Sequence, residues 1–352
     1  MSDQILNNEV VLSVRGLKQY FKMGSSQLKA VDDVSFDVHR GEVFGIVGES
    51  GCGKTTTGRS IIGLYDITGG DVFLEDKLVN TGVPGRKAEI REARKAGHTE
   101  LAQRLANERK EAIAAVKANR KELYKNIQMI FQDPISSLDP RMTVREIIAE
   151  GLKIQGERNK DVIEKKVREV LDYVRLVPEH ANRYPHEFSG GQRQRIGIAR
   201  AIVMQPKIII ADEPVSALDV SIQAQIINLL NDLRRDMGMT VIFIAHDLSV
   251  VKYFSNRIAV MHFGKIVELS ESDELFAHPF HPYTKALLSS IPTPDPRVER
   301  ARRRVAYVPE LAHDYSKEKP TLQEIRPGHF VLANSEEIKR YLEEDQAREA
   351  KN

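Results

Sequence analysis

The sequence predicts an α/β fold with an antiparallel β-region at its start, a helical insertion and a C-terminal extension. Two observations carry that expectation. Short apolar, β-prone segments repeatedly end on polar residues, as parallel strands do when their carboxyl ends form one edge of an open sheet. Between them lie longer stretches of helical period, among them Asp161 to Leu176, where Val162, Val167, Val170, Leu171 and Val174 recur on one face.

The first such segment, Glu42 to Val47, runs into Gly48-Glu49-Ser50-Gly51-Cys52-Gly53-Lys54-Thr55, which satisfies the pattern G-x-x-x-x-G-K-[ST]. Lys54 to Leu64 can continue as a helix, which supplies the strand-loop-helix context the pattern needs. Gly48, Gly51 and Gly53 let the backbone curl so that its N–H groups face a phosphate, with the positive end of a helix dipole behind them. Lys54 is placed to reach the β- and γ-phosphates, and the Thr55 hydroxyl to ligate Mg²⁺. Gly48 through Thr56 is therefore the candidate nucleotide loop, with ATP and Mg²⁺ as its expected ligands. The spacing is not G-x-G-x-x-G, so a dinucleotide fingerprint is disfavoured.

After a short β-region around Asp71 to Val79, Gly85 to Lys125 is charged, alanine-rich and free of proline, and reads as helical. Glu100, Arg104 and Glu108 are spaced for i,i+4 pairs, while Leu101, Leu105, Ile113 and Val116 give only a thin apolar stripe. A solvated helix or helical hairpin is expected. Its twelve Lys and Arg against six Glu could also meet anionic lipid headgroups or an acidic partner.

Three further apolar segments end on groups that hydrolysis could use: Ile127 to Phe131 leads to Gln132, Lys207 to Ala211 to Asp212 and Glu213, and Thr240 to Ala245 to His246. Each alone is commonly a turn, a cap or a satisfied polar group. Together they could converge on one sheet edge with the phosphate loop. There Asp212 suits a direct or outer-sphere Mg²⁺ role, Glu213 could polarise an attacking water, His246 could bond the γ-phosphate and Glu213, and Gln132 could sense Mg²⁺ and the water. Ser189 is a good N-cap for a helix from about Gln192 to Met204, whose apolar face is Ile196, Ala199, Ile202 and Val203. Its glycine-rich amino end, Ser189-Gly190-Gly191-Gln192, offers a second anion site, which makes most sense across a dimer interface.

These motifs, in this order, resemble those of ABC-type ATPases. Phe188-Ser189-Gly190-Gly191-Gln192 matches the signature, Gln132 the Q-loop, Ser216-Ala217-Leu218-Asp219 the D-loop, and His246 the switch histidine. The resemblance covers about Val11 to Leu269. It implies a P-loop cassette with a RecA-like core, an N-terminal antiparallel β-subdomain and an α-helical subdomain over about 143–200. It also implies head-to-tail pairing that sets each ATP between one phosphate loop and the partner's signature. Phe21 matches the aromatic that stacks on adenine, although Tyr20 could take that place.

A closer resemblance, to the ATPases of oligopeptide and dipeptide importers, rests on two runs. One is Phe131 to Val144; the other is His281-Pro282-Tyr283-Thr284-Lys285-Ala286-Leu287-Leu288, followed by Ile291 to Pro296. Glu324-Ile325-Arg326-Pro327-Gly328-His329-Phe330 further resembles the F-type subunit of Gram-positive oligopeptide permeases; taken alone, this tail reads as a charged, proline-punctuated appendage. The resemblance implies an ATP-binding domain over 1–270, an extension over 271–352 and oligopeptides as cargo. The implied partners are a D-type second ATPase in a heterodimer, two transmembrane permease subunits and an extracellular peptide-binding protein, with no nucleic acid. It sets Ile135 to Arg141 near the permease's cytoplasmic coupling helices. Many relatives carry an iron–sulfur centre on a cysteine cluster in the extension; with Cys52 the only cysteine, none is expected here.

Composition is compatible. The 352 residues, 41% hydrophobic, can bury one large core plus an extension, and the net charge of +2 favours no partner of either sign. No apolar run approaches the roughly 20 residues that span a bilayer, and no secretory signal is visible. Attachment through partners at the cytoplasmic face of the cell membrane is expected. A soluble ABC ATPase acting on DNA or ribosomes would share the catalytic set, as would an importer of nickel or glutathione. A non-hydrolysing scaffold is disfavoured by the presence of both Glu213 and His246.

Overall fold

Strands form where the apolar runs predict them. The computed structural model describes residues 9–291 and 306–349. It opens with β1 (Val10–Met23) and β2 (Ser26–His39), which join β4 (Gly69–Leu74) and β5 (Lys77–Thr81) in an antiparallel sheet of order β2-β1-β4-β5. The β4–β5 hairpin turns at Glu75 and Asp76, both left-handed at φ 46° and 65°, as a tight turn matched to strand twist requires.

The larger sheet has the order β11-β12-β10-β9-β3-β8-β7-β6. Its centre is β3 (Val43–Val47), parallel to β8 (Thr240–Ala245) and β9 (Arg257–His262), with β7 (Ile208–Asp212) and then β6 (Ile127–Ile130) continuing the parallel run. Every residue of β3, β7 and β8 is buried, because both faces are covered. Alternation divides their side chains: Val43, Val47, Ile209, Val241 and Phe243 join one core, and Phe44, Ile46, Ile208, Ile210, Ile242 and Ile244 the other. The second core lies against the antiparallel sheet, through Val11, Leu12 and Val14 of β1 among others.

The first core is shared with helices. α4 (Val144–Ile154) starts on a capping box between Thr143 and Glu146, α5 (Lys160–Tyr173) on Asn159, and α6 (Gly190–Ile202) on a box between Ser189 and Gln192. Ile196, Ala199, Ile202 and Val203 are buried as the periodicity requires. α7 (Val220–Met237) ends at Gly238, left-handed at φ 64°, and α8 (Leu248–Phe254) starts on Asp247.

The charged insertion is a hairpin, α2 (Val83–Lys95) and α3 (Thr99–Asn126), broken at Gly97 with φ 79°. Its expected apolar stripe needs correction. Leu101 and Ile113 are exposed, and α3 instead buries Ala102, Ala112 and Leu123, because small residues let the two helices approach. Arg104 pairs with Glu108 at 3.4 Å, while the α3 end is tied to β5 by Lys77–Glu122 at 2.8 Å and by Asn119 Nδ2 donating to Leu78 O at 2.9 Å.

Beyond β9, β10 (Lys265–Glu271) turns back antiparallel, followed by α9 (Ser272–Ala277) and α10 (Pro282–Ser289). The tail does not remain an appendage: β11 (Thr321–Arg326) and β12 (His329–Ala333) form a hairpin about Gly328, and β12 pairs with β10 at Glu268–Val331 and Leu269–Phe330. A helix, Ser335–Glu349, follows and buries Tyr341 against Phe280 and Val331. The expected run Pro292 to Pro296 lies outside the described residues.

Candidate active site

The phosphate loop joins β3 to α1 (Lys54–Ile61) and depends on glycine at two close approaches. Gly48 has φ 151° and a Cβ there would lie 2.2 Å from the Met261 carbonyl; at Gly53, with φ 111°, it would lie 2.3 Å from that of Ala30. Gly53 also caps α1 without a side chain, so the first helical N–H groups stay bare for an anion. Lys54, only 4% exposed, donates from Nζ to Gly48 O at 2.7 Å and Glu49 O at 2.9 Å.

Asp212 ends β7 beneath this loop, fully buried. Thr55 Oγ1 donates to its Oδ1 at 2.7 Å, and Oδ2 has no hydrogen-bond partner. Burial pushes the Asp212 carboxyl up, against the lowering effect of the Thr55 bond and the nearby Arg59. A buried, under-satisfied carboxylate beside a threonine hydroxyl fits Mg²⁺, which takes one or two protein oxygens and completes its shell with phosphate and water. Among the described residues no group of three His, Cys, Asp or Glu could hold a metal.

Glu213 follows at φ 44°, a left-handed conformation unusual for a residue with a side chain, and its N–H bonds Ile244 O of β8 at 2.9 Å. That kink turns its carboxylate into the cleft. Oε2 accepts from Gln132 Nε2 at 3.1 Å and lies 3.1 Å from His246 Nδ1. With the imidazole proton assigned to Nδ1, His246 donates to that carboxylate. The ends of β6, β7 and β8 thus deliver three side chains to one point.

A cavity of about 730 Å³ opens over this point, lined by Phe21, the loop residues Ser50, Gly51, Gly53, Lys54, Thr55 and Thr56, and Gln132, Glu213 and His246. Phe21 lines it and Tyr20 does not; the Tyr20 hydroxyl is bonded to Asp32, and burial, followed by that bond, pushes its pKa up. Gly48, Glu49 and Cys52 do not line the cavity: Gly48 and Cys52 are buried, the Cys52 thiol raised in pKa by that burial, and Glu49 is exposed and lines a separate cavity with Tyr283. Sequence reasoning missed Leu28 and Ala30 of β2 and Asp133, which also line the cavity. Their proximity is set by tertiary pairing, although Asp133 directly follows Gln132.

Ser189, Gly190, Gly191 and Gln192 are absent from this lining, and Ser189 and Gly190 are exposed, as is Asp219. A Cβ on Gly191 would meet the Ile222 Cγ2 methyl of α7 at 2.7 Å, so a larger residue there would have to shift that side chain where α6 approaches α7.

The site and sheet are those of an ATP-binding cassette, and residues 31–216 match the family described as ABC transporter. The chain belongs to that family and is an ATP-hydrolysing subunit of it. Residues 267–317 match the family described as the oligopeptide/dipeptide transporter C-terminal region. The chain is 51% identical to the oligopeptide transport ATP-binding protein OppF of Bacillus subtilis, over 95% of this chain and 99% of that one. It is 47% identical to AmiF of Streptococcus pneumoniae (95% and 98%) and 46% to the dipeptide transport ATP-binding protein DppF of Lactococcus lactis (94% and 96%). Among solved structures, a dimeric post-hydrolysis ATP-binding cassette with ADP and phosphate matches at TM-score 0.58 and 26% identity, over 74% of this chain and 98% of that one. The cassette cbiO1 of Clostridium perfringens, at TM-score 0.59 and 23% identity over 84% and 99%, shares the fold.

Proposed function

We propose that this chain powers the import of oligopeptides by binding and hydrolysing ATP against a membrane permease. The observation that carries the mechanism is the convergence of Glu213, Gln132 and His246 at 3.1 Å contacts beside Lys54 and Thr55. In this reading Lys54, Gly48 to Thr56 and the bare α1 terminus hold the triphosphate, and Phe21 stacks on adenine. Glu213 takes the proton of the attacking water, Gln132 orients that water, and His246 holds the Glu213 carboxylate and faces the γ-phosphate. Bound Mg²⁺, held by Thr55 and Asp212 with Gln132 nearby, would neutralise phosphate charge.

Ser189 to Gln192 and Asp219 lie outside the chain's own cavity, which supports their use on ATP held by a second cassette. We assign that cassette to a D-type ATPase and the remaining partners to two transmembrane permeases and an external peptide-binding protein. Peptide as cargo is supported by the relatives' names and by the C-terminal match. In this scheme residues 1–270 form the cassette, about 143–200 its helical subdomain, 85–125 an insertion and 271–352 the extension. Ile135, 64% exposed, and Arg141 would lie at the permease. Among the described residues no helix is long and apolar enough to cross a membrane, and we place the chain at the cytoplasmic membrane face through these partners. Purification from native membranes in mild detergent tests this. Two permeases and a second ATPase are expected; ribosomes or DNA-repair proteins instead would overturn the transport reading.

A further inference from the structure

The His281-Pro282-Tyr283 run reaches the phosphate loop from the far end of the chain. Tyr283 is 2% exposed, and its hydroxyl accepts the Glu49 backbone N–H at 3.0 Å. The turn that presents it is fixed from three directions. His281 caps α10, its Nδ1 accepting the Tyr283 N–H at 3.1 Å. The backbone N–H groups of Phe280 and His281 both donate to the Glu268 carboxylate, at 2.7 and 3.1 Å. His329, delivered by the β11–β12 turn, bonds the same carboxylate through Nε2 at 2.9 Å, with both residues wholly buried.

Glu49 is bonded on its other side as well. Its carbonyl accepts Lys54 Nζ at 2.9 Å and the Cys52 N–H at 3.3 Å. The peptide that Tyr283 holds joins Gly48 to Glu49, and its own carbonyl, Gly48 O, accepts Lys54 Nζ at 2.7 Å, so the Lys54 ammonium rests on both peptides of Glu49. We propose that Tyr283 is a positioning residue for the phosphate loop, fixing Glu49 and through it Lys54, so that the C-terminal extension sets the chain's affinity for nucleotide. This rests on the reading of Gly48 to Thr55 as the ATP loop. Each residue of the His-Pro-Tyr run then has a physical part, since the histidine caps the helix, the proline starts it and the tyrosine carries its hydroxyl to the loop.

Tyr283→Phe keeps the ring, which packs against His262 with centroids 4.1 Å apart, and removes only the hydroxyl. In the assembled transporter the KM for ATP should rise about five-fold, the value of one net hydrogen bond, with kcat within about two-fold. Hydrogen exchange at the Glu49 amide should accelerate in the same variant. A role in packing alone would instead lower the active fraction, reducing kcat at unchanged KM, and that result, or an unchanged KM and unchanged Glu49 exchange, overturns the proposal. Lys54→Ala serves as the control. Should ATP affinity survive that change, the ATP-loop reading itself fails; should Lys54→Ala abolish binding while Tyr283→Phe leaves it untouched, only the role of Tyr283 fails.

Discussion

Replacing Glu213 by glutamine isolates proton acceptance from every other property of the site. The glutamine oxygen can occupy the position of Oε2 and accept from both Gln132 and His246, each now 3.1 Å away, so neither neighbour loses its partner. Lys54, Thr55 and Phe21 are untouched, and ATP affinity should stay at the wild-type value. What disappears is the ability to take a proton from water, a contribution of about 10²- to 10⁴-fold. The corresponding rise in barrier is about 2.7–5.4 kcal/mol. Phosphate release from the assembled complex, measured over a range of ATP concentrations, should show kcat reduced by that factor with KM unchanged. In the proposed mechanism His246 acts in part through Glu213, so adding His246→Ala to Glu213→Gln should cost less than His246→Ala costs alone. Wild-type turnover by Glu213→Gln would refute the assignment of the base, and full multiplicativity of the two changes would refute the coupling.

Two further expectations concern groups away from the reacting point. Ser189→Ala removes the cap of α6 and should destabilise the chain by about 1 kcal/mol in urea unfolding. Because Ser189 lies outside this chain's cavity, ADP binding to the chain alone should be unchanged while turnover of the complex falls. Burial, with the nearby His313, His262 and Lys285, holds His281 well below its ordinary 6.5, and burial also lowers His262. The unfolded chain therefore binds more protons below that pH, so stability should be full above about 6.5 and decline as the pH falls toward the folded-state values. His281→Asn, which keeps a capping side chain, should flatten this decline between about pH 7.5 and 5.5 in thermal unfolding; an unaltered slope would exclude His281 as its source.

Much of this arrangement is local enough to read in the chain. The loop glycines, the Ser189 cap, and the polar residues that end β6, β7 and β8 are each fixed by short-range chemistry, and their meeting follows once the strands are parallel. The hairpin break is harder to read: alanine-rich helix continues comfortably until Gly97, and the buried stripe of α3 uses Ala102 and Ala112 in place of the larger Leu101 and Ile113, because the partner helix, not hydrophobicity, selects the face. The choice of Phe21 over Tyr20 turns on Asp32, which engages the tyrosine from a different strand. No sequence spacing announces that Tyr283 meets Glu49, since 234 positions separate them and Glu268 and His329 must first fold the turn between.

The strand order has a practical meaning for anyone shortening this protein. β10 is an interior strand only because β12 covers it, and β11 then becomes the outermost strand, short and bearing Glu324 and Arg326. Charges of that kind discourage another chain from adding itself to a sheet. A cassette cut after residue 270 would present the bare backbone of β10 instead, and would be prone to join its own copies edge to edge. The last strands are thus a guard against self-association, and their removal should show as precipitation, separate from the weaker nucleotide binding expected when Tyr283 is lost with them.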